Sequence, residues 1–385
     1  MKKIKVLYIS ANGYFGGAEQ FVYTAVKNHI ESKSIYAEIF FFNNGNFVNK
    51  CQNELIPFHL LPFTFRLSHI LKLLRAIIYL RKYLVVNHFD IIHCTMPYPF
   101  IVTVMATLFL KIKITWFQHG PVGQFLDLIA NLLPVDRIYF NTQFLQNEHL
   151  KMLRSGRYKH LHKIINYGII RKQCDTQKVL NIKKSYADNK LLFLIAGRIS
   201  PWKGYENVIK AVNILVKNHK VDNTKFHLLI IGDYTIKKDK PYADSLKKSV
   251  LHYNLSQFIT FLRHVDDLEN YIKASDVFIH ASTIPEPFGL VVAEAMIEHT
   301  LVVGSDVGGV TSILQNNVTG LSFPSTKTNC FNELADILNT IIAHPHNYKN
   351  LTENAYQQII ANYSVEQMIK NLETDYLMLC EGNYE

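Results

Sequence analysis

Short apolar runs alternate with helical spacing through the whole chain. Residues 5–10 (KVLYIS) read as a strand, followed by a glycine loop and a helix near 18–30. Residues 37–42, 90–95 (DIIHCT) and 114–119 (ITWFQH) read as further strands. The later half repeats the theme with 191–197 (LLFLIAG), 227–233 (HLLIIGD), 258–262 (FITFL), 276–282 (DVFIHAS) and 300–306 (TLVVGSD). Continuous apolar runs separated by helices predict parallel sheets with both faces covered, wound twice over. The expected class is therefore α/β, with two Rossmann-like doubly wound domains facing across a cleft. The polar stretch 171–190 (RKQCDTQKVLNIKKSYADNK) reads as the linker. Expected boundaries are 1–170 for an acceptor-binding domain, 171–363 for a nucleotide-binding domain, and 364–385 for a helix that crosses back to the first.

The apolar run Phe100 to Leu110 is about half the roughly 20 residues a membrane span needs, so it reads as a buried strand or helix. Residues 66–84 hold a different pattern. Leu67, Ile70, Leu71, Leu74, Ile77 and Ile78 follow helical spacing, and Lys72, Arg75, Tyr79 and Lys82 follow it on another face. Such a helix either packs on a sheet with a solvated basic face or lies on an anionic bilayer. Charge bears on the choice. Residues 1–170 carry 19 Lys and Arg against 8 Asp and Glu, whereas residues 171–385 carry 22 against 23. An anionic partner for the first half is expected, with Lys72, Arg75 and Lys82 as membrane-contact candidates. No basic stretch interleaved with aromatics points to nucleic acid.

The 385-residue chain has an ordinary globular composition and exceeds what one core usually fills. Its 5 cysteines are scattered, without a Cys-x-x-Cys pair, which argues against zinc ribbons and disulfide frameworks. The start, MKKIKVLYIS, runs straight into a strand pattern, so a cytoplasmic protein is expected.

Four segments carry candidate chemistry. Ser10–Glu19 joins the first strand to a helix, and Gly16 and Gly17 let backbone amides approach an anion or an acceptor. Gly197–Gly204 (GRISPWKG) places Arg198 and Lys203 on a loop before a helix, a pair suited to a diphosphate. Residues 285–295 (PEPFGLVVAEA) open a helix near Gly289, whose amide and that of Leu290 point at an anion. Glu286 precedes that helix and Glu294 lies in its second turn, where a carboxylate suits ribose hydroxyls better than phosphate. Finally, His119 ends the strand ITWFQ and is a candidate for hydrogen bonding to a substrate hydroxyl or for proton transfer; His93 is a weaker rival. The chain has no Asp-x-Asp, no P-loop and no Gly-x-Ser-x-Gly elbow.

The combination GRISPWKG, EPFGLVVAEAM and DVGGVTSILQNNVTGLSF resembles the nucleotide-sugar domain of retaining glycosyltransferases of the GT-B fold, family four. GGAE, DIIH and QHGP match more loosely. The resemblance implies that Arg198 and Lys203, with the amides of Gly289 and Leu290 beside Phe288, neutralise a donor diphosphate. Glu294 then holds the ribose, Val265 is a further donor-binding residue, Glu286 meets the donor sugar near its anomeric carbon, and His119 contacts that sugar from the other domain. It implies hexose transfer from a UDP- or GDP-linked sugar, without a metal or cofactor, to a glycan or lipid-linked acceptor. The implied setting is bacterial lipopolysaccharide or capsule assembly, peripheral to the inner face of the cytoplasmic membrane. Two departures stand out: FLRHV carries Arg263 and His264 where the family often has a small glycine, and Tyr167-Gly168 replaces Asn-Gly. Two alternatives stay open, a nucleotide-sugar epimerase on the same fold and a non-catalytic sugar-nucleotide-binding subunit.

Overall fold

The structure is a computed structural model that describes residues 3–152, 155–234 and 237–381. The chain forms two compact units, residues 1–168 with 363–385, and residues 169–362.

Seven parallel strands build the first unit: β1 (Ile4–Ser10), β2 (Ile35–Phe41), β3 (Phe58–Leu60), β4 (Ile91–Cys94), β5 (Lys113–Gln118), β6 (Arg137–Phe140) and β7 (His162–Ile164). Their order is β3-β2-β1-β4-β5-β6-β7. Val6 to Ser10 are all buried, because helices cover both faces, and this is why the strands read as unbroken apolar runs. The order reverses between β1 and β4, so the loops after Ser10 and Cys94 diverge there. The last helix, Val365–Glu381, belongs to this unit and buries Met368, Leu372, Tyr376 and Leu379 along one face.

That helix is also tied by charge. The Asp375 carboxylate is fully buried and accepts from Arg137 Nε at 3.0 Å, Lys163 Nζ at 2.8 Å and Tyr139 OH at 2.6 Å. Tyr376 OH lies 2.7 Å from His93 Nδ1 and 3.0 Å from Tyr8 OH, so His93 serves this anchor. Breaking a buried pair leaves uncompensated charge behind. Asp375→Ala is expected to cost about 3 kcal/mol or more, read from the urea midpoint at constant m-value.

The second unit has six parallel strands: β8 (Leu191–Ala196), β9 (Phe226–Ile231), β10 (Ile259–Leu262), β11 (Val277–His280), β12 (Leu301–Ser305) and β13 (Leu321–Phe323). Their order is β10-β9-β8-β11-β12-β13. Here the reversal falls between β8 and β11. The loops beginning at Gly197 and Ala281 therefore leave adjacent strand tips in opposite directions, the usual place for a ligand crevice in such sheets.

Three expectations need correction. The stretch 171–190 is not a plain linker, since Thr176–Ala187 is a helix. Asp175 caps it by accepting from the amides of Gln177 and Lys178 at 2.9 and 3.1 Å. It buries only Ile182 and Ala187 and docks through ion pairs such as Lys178–Asp267 at 3.1 Å, so its pattern looks like a polar loop. The run 100–110 is only partly buried: the helix Pro97–Ala106 is, but Phe109 beyond it is 99 % exposed. On the helix Ile70–Asn87 the apolar positions split between core and solvent rather than forming one face.

Candidate active site

At the β8 tip, backbone contacts are so close that only glycine fits. Gly197 has φ 144°, and a Cβ on Gly232 would lie 2.0 Å from the Gly197 carbonyl oxygen. Arg198 follows, exposed, with its guanidinium 5.7 Å from the Trp202 ring. Pro201–Lys203 makes a single tight turn, and Gly204 at φ 71° presses on the residue just after β11, where a Cβ would meet Ala281 O at 1.9 Å. The Thr283 amide donates to Trp202 O at 2.8 Å. These contacts deliver Lys203 to Glu286.

One oxygen of Glu286 gathers three partners. Its Oε1 accepts from Lys203 Nζ at 2.7 Å and lies 2.8 Å from His280 Nε2, and the Ser282 hydroxyl also donates to it. His280 Nδ1 in turn faces the Ser305 hydroxyl at 3.2 Å. Burial alone would raise the carboxyl's pKa, but the hydrogen bond and charge of His280, with those of Lys203, hold it well below the ordinary range. Glu286 is thus an anion already matched to a cation.

Its backbone is fixed by the next loop. The Gly309 amide donates to Glu286 O at 2.7 Å, and a Cβ on Gly309 would lie 1.9 Å from Pro287 O. Gly309→Ala must push the Pro285–Gly289 loop and Glu286 with it. The expected result is at least about a tenfold loss of activity and roughly 1–3 kcal/mol of stability, measured by kinetics and thermal denaturation. Gly289, at φ 91°, then caps the helix Leu290–Ile297. Among the described residues, the Gly289 and Leu290 amides donate to no protein group.

A cavity of about 460 Å³ opens at the same β8 tip, along Gly197 and Arg198. Arg198, Val265 and Glu294 line it, with Lys172, Asp233 and His264. Burial raises the Glu294 carboxyl's pKa, eased by Lys172 and reinforced by Glu269. The expected residues of the second unit therefore fall in two groups. Arg198, Val265 and Glu294 share the cavity, while Lys203 and Glu286 are paired outside its lining. Phe288 is buried, at 2 % exposure, and packs behind the loop.

In the first unit, His119 follows β5 and is buried. Its Nδ1 lies 2.7 Å from Tyr167 OH, and its ring stacks on Phe117 at 4.0 Å. Burial, then His93, lowers its pKa well below 6.5, so a neutral imidazole with an unpartnered Nε2 is present. That suits hydrogen bonding rather than proton donation. The Gly16–Gly17 turn already faces a carboxyl of its own: burial raises the Glu19 pKa, and the amides of Glu19 and Gly16 offset that only in part. The tight crossing in that loop is at Gly13, where a Cβ would meet Asn44 C at 2.3 Å.

Residues 178–358 match the family described as Glycosyl transferases group 1. The second unit, residues 169–362, thus carries the group 1 glycosyltransferase segment, which spans just under half of the chain. The two parallel sheets make a GT-B-like fold, matching solved structures of family-four glycosyltransferases. The chain is 26 % identical over 209 residues to the putative glycosyltransferase YtcC of Bacillus subtilis, covering 52 % of this chain and 50 % of that protein. It is 27 % identical over 187 residues to the lipopolysaccharide core biosynthesis mannosyltransferase LpcC of Rhizobium leguminosarum, covering 49 % and 51 %. The matches thus span about half the length of these curated relatives. The structure of Anabaena Alr3699/HepE in complex with UDP-glucose superposes with a TM-score of 0.80 at 21 % identity, covering 97 % of this chain and 99 % of that one.

Sequence reasoning missed His280 and Ser282, both on Glu286, together with Lys172 and Asp233 in the cavity. His280 ends a buried strand, and its position at the carboxyl tip beside the switch point was the available signal.

Proposed function

We propose that this glycosyltransferase moves a hexose-type sugar from a UDP- or GDP-linked donor to a glycan or lipid-linked acceptor, with retention and without a metal. The observation that carries this reading is the Lys203–Glu286–His280 cluster beside the free amides of Gly289 and Leu290, at the β8/β11 switch point. Arg198 and Lys203 take the diphosphate charge that builds up as the glycosidic bond breaks, and electrostatic stabilisation of that leaving group is the main catalytic effect. The amides at the helix start add partial positive charge. Glu286, kept ionised, accepts from the donor sugar's hydroxyls. Glu294 accepts from the ribose, and Val265 bounds the base. His119 donates from its neutral ring to a sugar hydroxyl. The departing phosphate takes the acceptor's proton on the same sugar face, so no protein base is required.

LpcC, a lipopolysaccharide core mannosyltransferase by name, supports a setting in bacterial surface-polysaccharide assembly at the cytoplasmic face of a membrane. HepE, whose structure holds UDP-glucose, supports the donor class. The test is a panel of UDP- and GDP-sugars screened by thermal shift, since a ligand of the native state raises the melting point. The hit is then followed by NMR for the anomeric configuration of the product. A donor that binds but is never consumed points to a binding subunit, and an epimer released without an acceptor points to an epimerase; either result overturns the proposal.

A further inference from the structure

The first unit exposes an apolar surface that its core does not use. On the helix Ile70–Asn87 the core takes Ala76, Ile77, Leu80 and Leu84. Leu74, Val85, Ile78 and Leu71 form a separate stripe, 45, 48, 55 and 83 % exposed. At 3.6 residues per turn this stripe occupies about a sixth of the circumference. Lys82 and Arg75 come next around the helix, then Lys72, all exposed. On the other side of the stripe, Arg81 donates to Ala106 O at 3.0 Å and Leu108 O at 2.7 Å. That clamp holds the end of the helix Pro97–Ala106, with Leu108 and Phe109, beside the stripe. Phe109 is 99 % exposed and sits at φ 65°, a backbone region that bulky residues rarely enter.

We propose that this surface docks on an anionic bilayer. The stripe and Phe109 enter the boundary between headgroups and acyl chains, while Lys72, Arg75 and Lys82 reach lipid phosphates along their apolar stems. Charge selects lipid over another copy of the chain. The helix Ile70–Asn87 has four cations and no carboxylate, and the positive excess of the chain lies within residues 1–170. A symmetric pairing through this surface would set cation against cation. Among the described residues no helix is long and apolar enough to cross a membrane, so the contact is interfacial. The proposal is independent of the transfer reading, because vesicle binding is measured without turnover.

The experiment is co-sedimentation of the full chain with vesicles of phosphatidylcholine, alone or with about one third phosphatidylglycerol. Binding is expected to the anionic vesicles only, and to weaken as salt is raised. Phe109→Ser with Ile78→Ser should lower the partition coefficient about tenfold or more. Lys72→Gln, Arg75→Gln and Lys82→Gln together should do the same. All five side chains are at the surface, so the melting temperature and the UDP-induced thermal shift should hold. The proposal is overturned if the wild-type chain does not bind, if both variants bind as it does, or if it binds neutral vesicles equally. It is also overturned if the chain dimerises without vesicles and the Phe109/Ile78 variant is monomeric, which would place a second copy on this surface.

Discussion

Glu286→Ala is expected to lower the transfer rate by about a hundred- to a thousandfold, the range found when a charge-stabilising group is removed from a reacting centre, while UDP or GDP binds as well as before or more tightly. Lys203 explains the asymmetry. Its ammonium lies 2.7 Å from Glu286, so in the donor-free protein the carboxylate competes for the cation that the diphosphate needs. Deleting the carboxylate frees Lys203 for phosphate but removes the acceptor for the sugar's hydroxyls. Lys203→Ala should cost as much in transfer and should also weaken diphosphate binding, since Arg198 then faces the phosphates alone among these side chains. Isothermal titration with the nucleoside diphosphate, beside steady-state kinetics, separates the two variants. Full activity in both, or diphosphate binding lost in Glu286→Ala and kept in Lys203→Ala, would remove these residues from the site.

How much of this was legible follows burial. Leu192 to Ala196 are buried on both sheet faces and announce a strand by composition alone. The edge strands β3, β7 and β13 have three residues each and partial burial, too short and too exposed to show a period. Ion pairs leave no hydrophobic signature, which is why the helix Thr176–Ala187 passed for a linker. At the site, GRISPWKG and EPFGLVVAEAM stood out by the spacing of charges and glycines. The purpose of Gly308 and Gly309 did not, because their requirement arises from a loop more than twenty positions earlier, at Glu286 and Pro287. His280 was passed over for a similar reason, its strand-tip position aside: a lone histidine in an apolar strand looks like core until the carboxylate six residues on is placed against it.

Buried histidines make acid the chain's weak point, and the first unit is expected to fail first. Burial pushes His29 down to about 4, and burial with a neighbouring imidazole pushes His93 and His149 down to about 3. His119 is lowered by the same causes, and in the second unit burial, with Lys190, brings His227 to about 4. Glu373 lies 3.8 Å from His29, which favours the charged ring, but burial outweighs it. Unfolding returns each ring to an ordinary pKa near 6.5. Below that pH the unfolded chain binds protons that the folded chain refuses, so stability falls as pH drops from about 6.5 towards 4. Each such ring contributes about 1 kcal/mol of loss between pH 7.5 and 5.5. Burial also lowers His59 and, with His160 and Lys159, brings His162 to about 4, so every one of these rings except His227 lies in the first unit. The loss there is roughly 5 kcal/mol or more, a large part of an ordinary domain's stability. Raised carboxyls at Glu19, Asp127 and Glu294 act in the opposite direction, two of them in the first unit. The 2 tryptophans report the units separately, since Trp116 is buried in the first and Trp202 lies in the second. In Trp202→Phe, urea unfolding followed by Trp116 fluorescence should show its midpoint collapse between pH 7.5 and 5.5. A midpoint that stays constant across that window would mean these imidazoles are protonated, and therefore solvated or paired, in the folded protein.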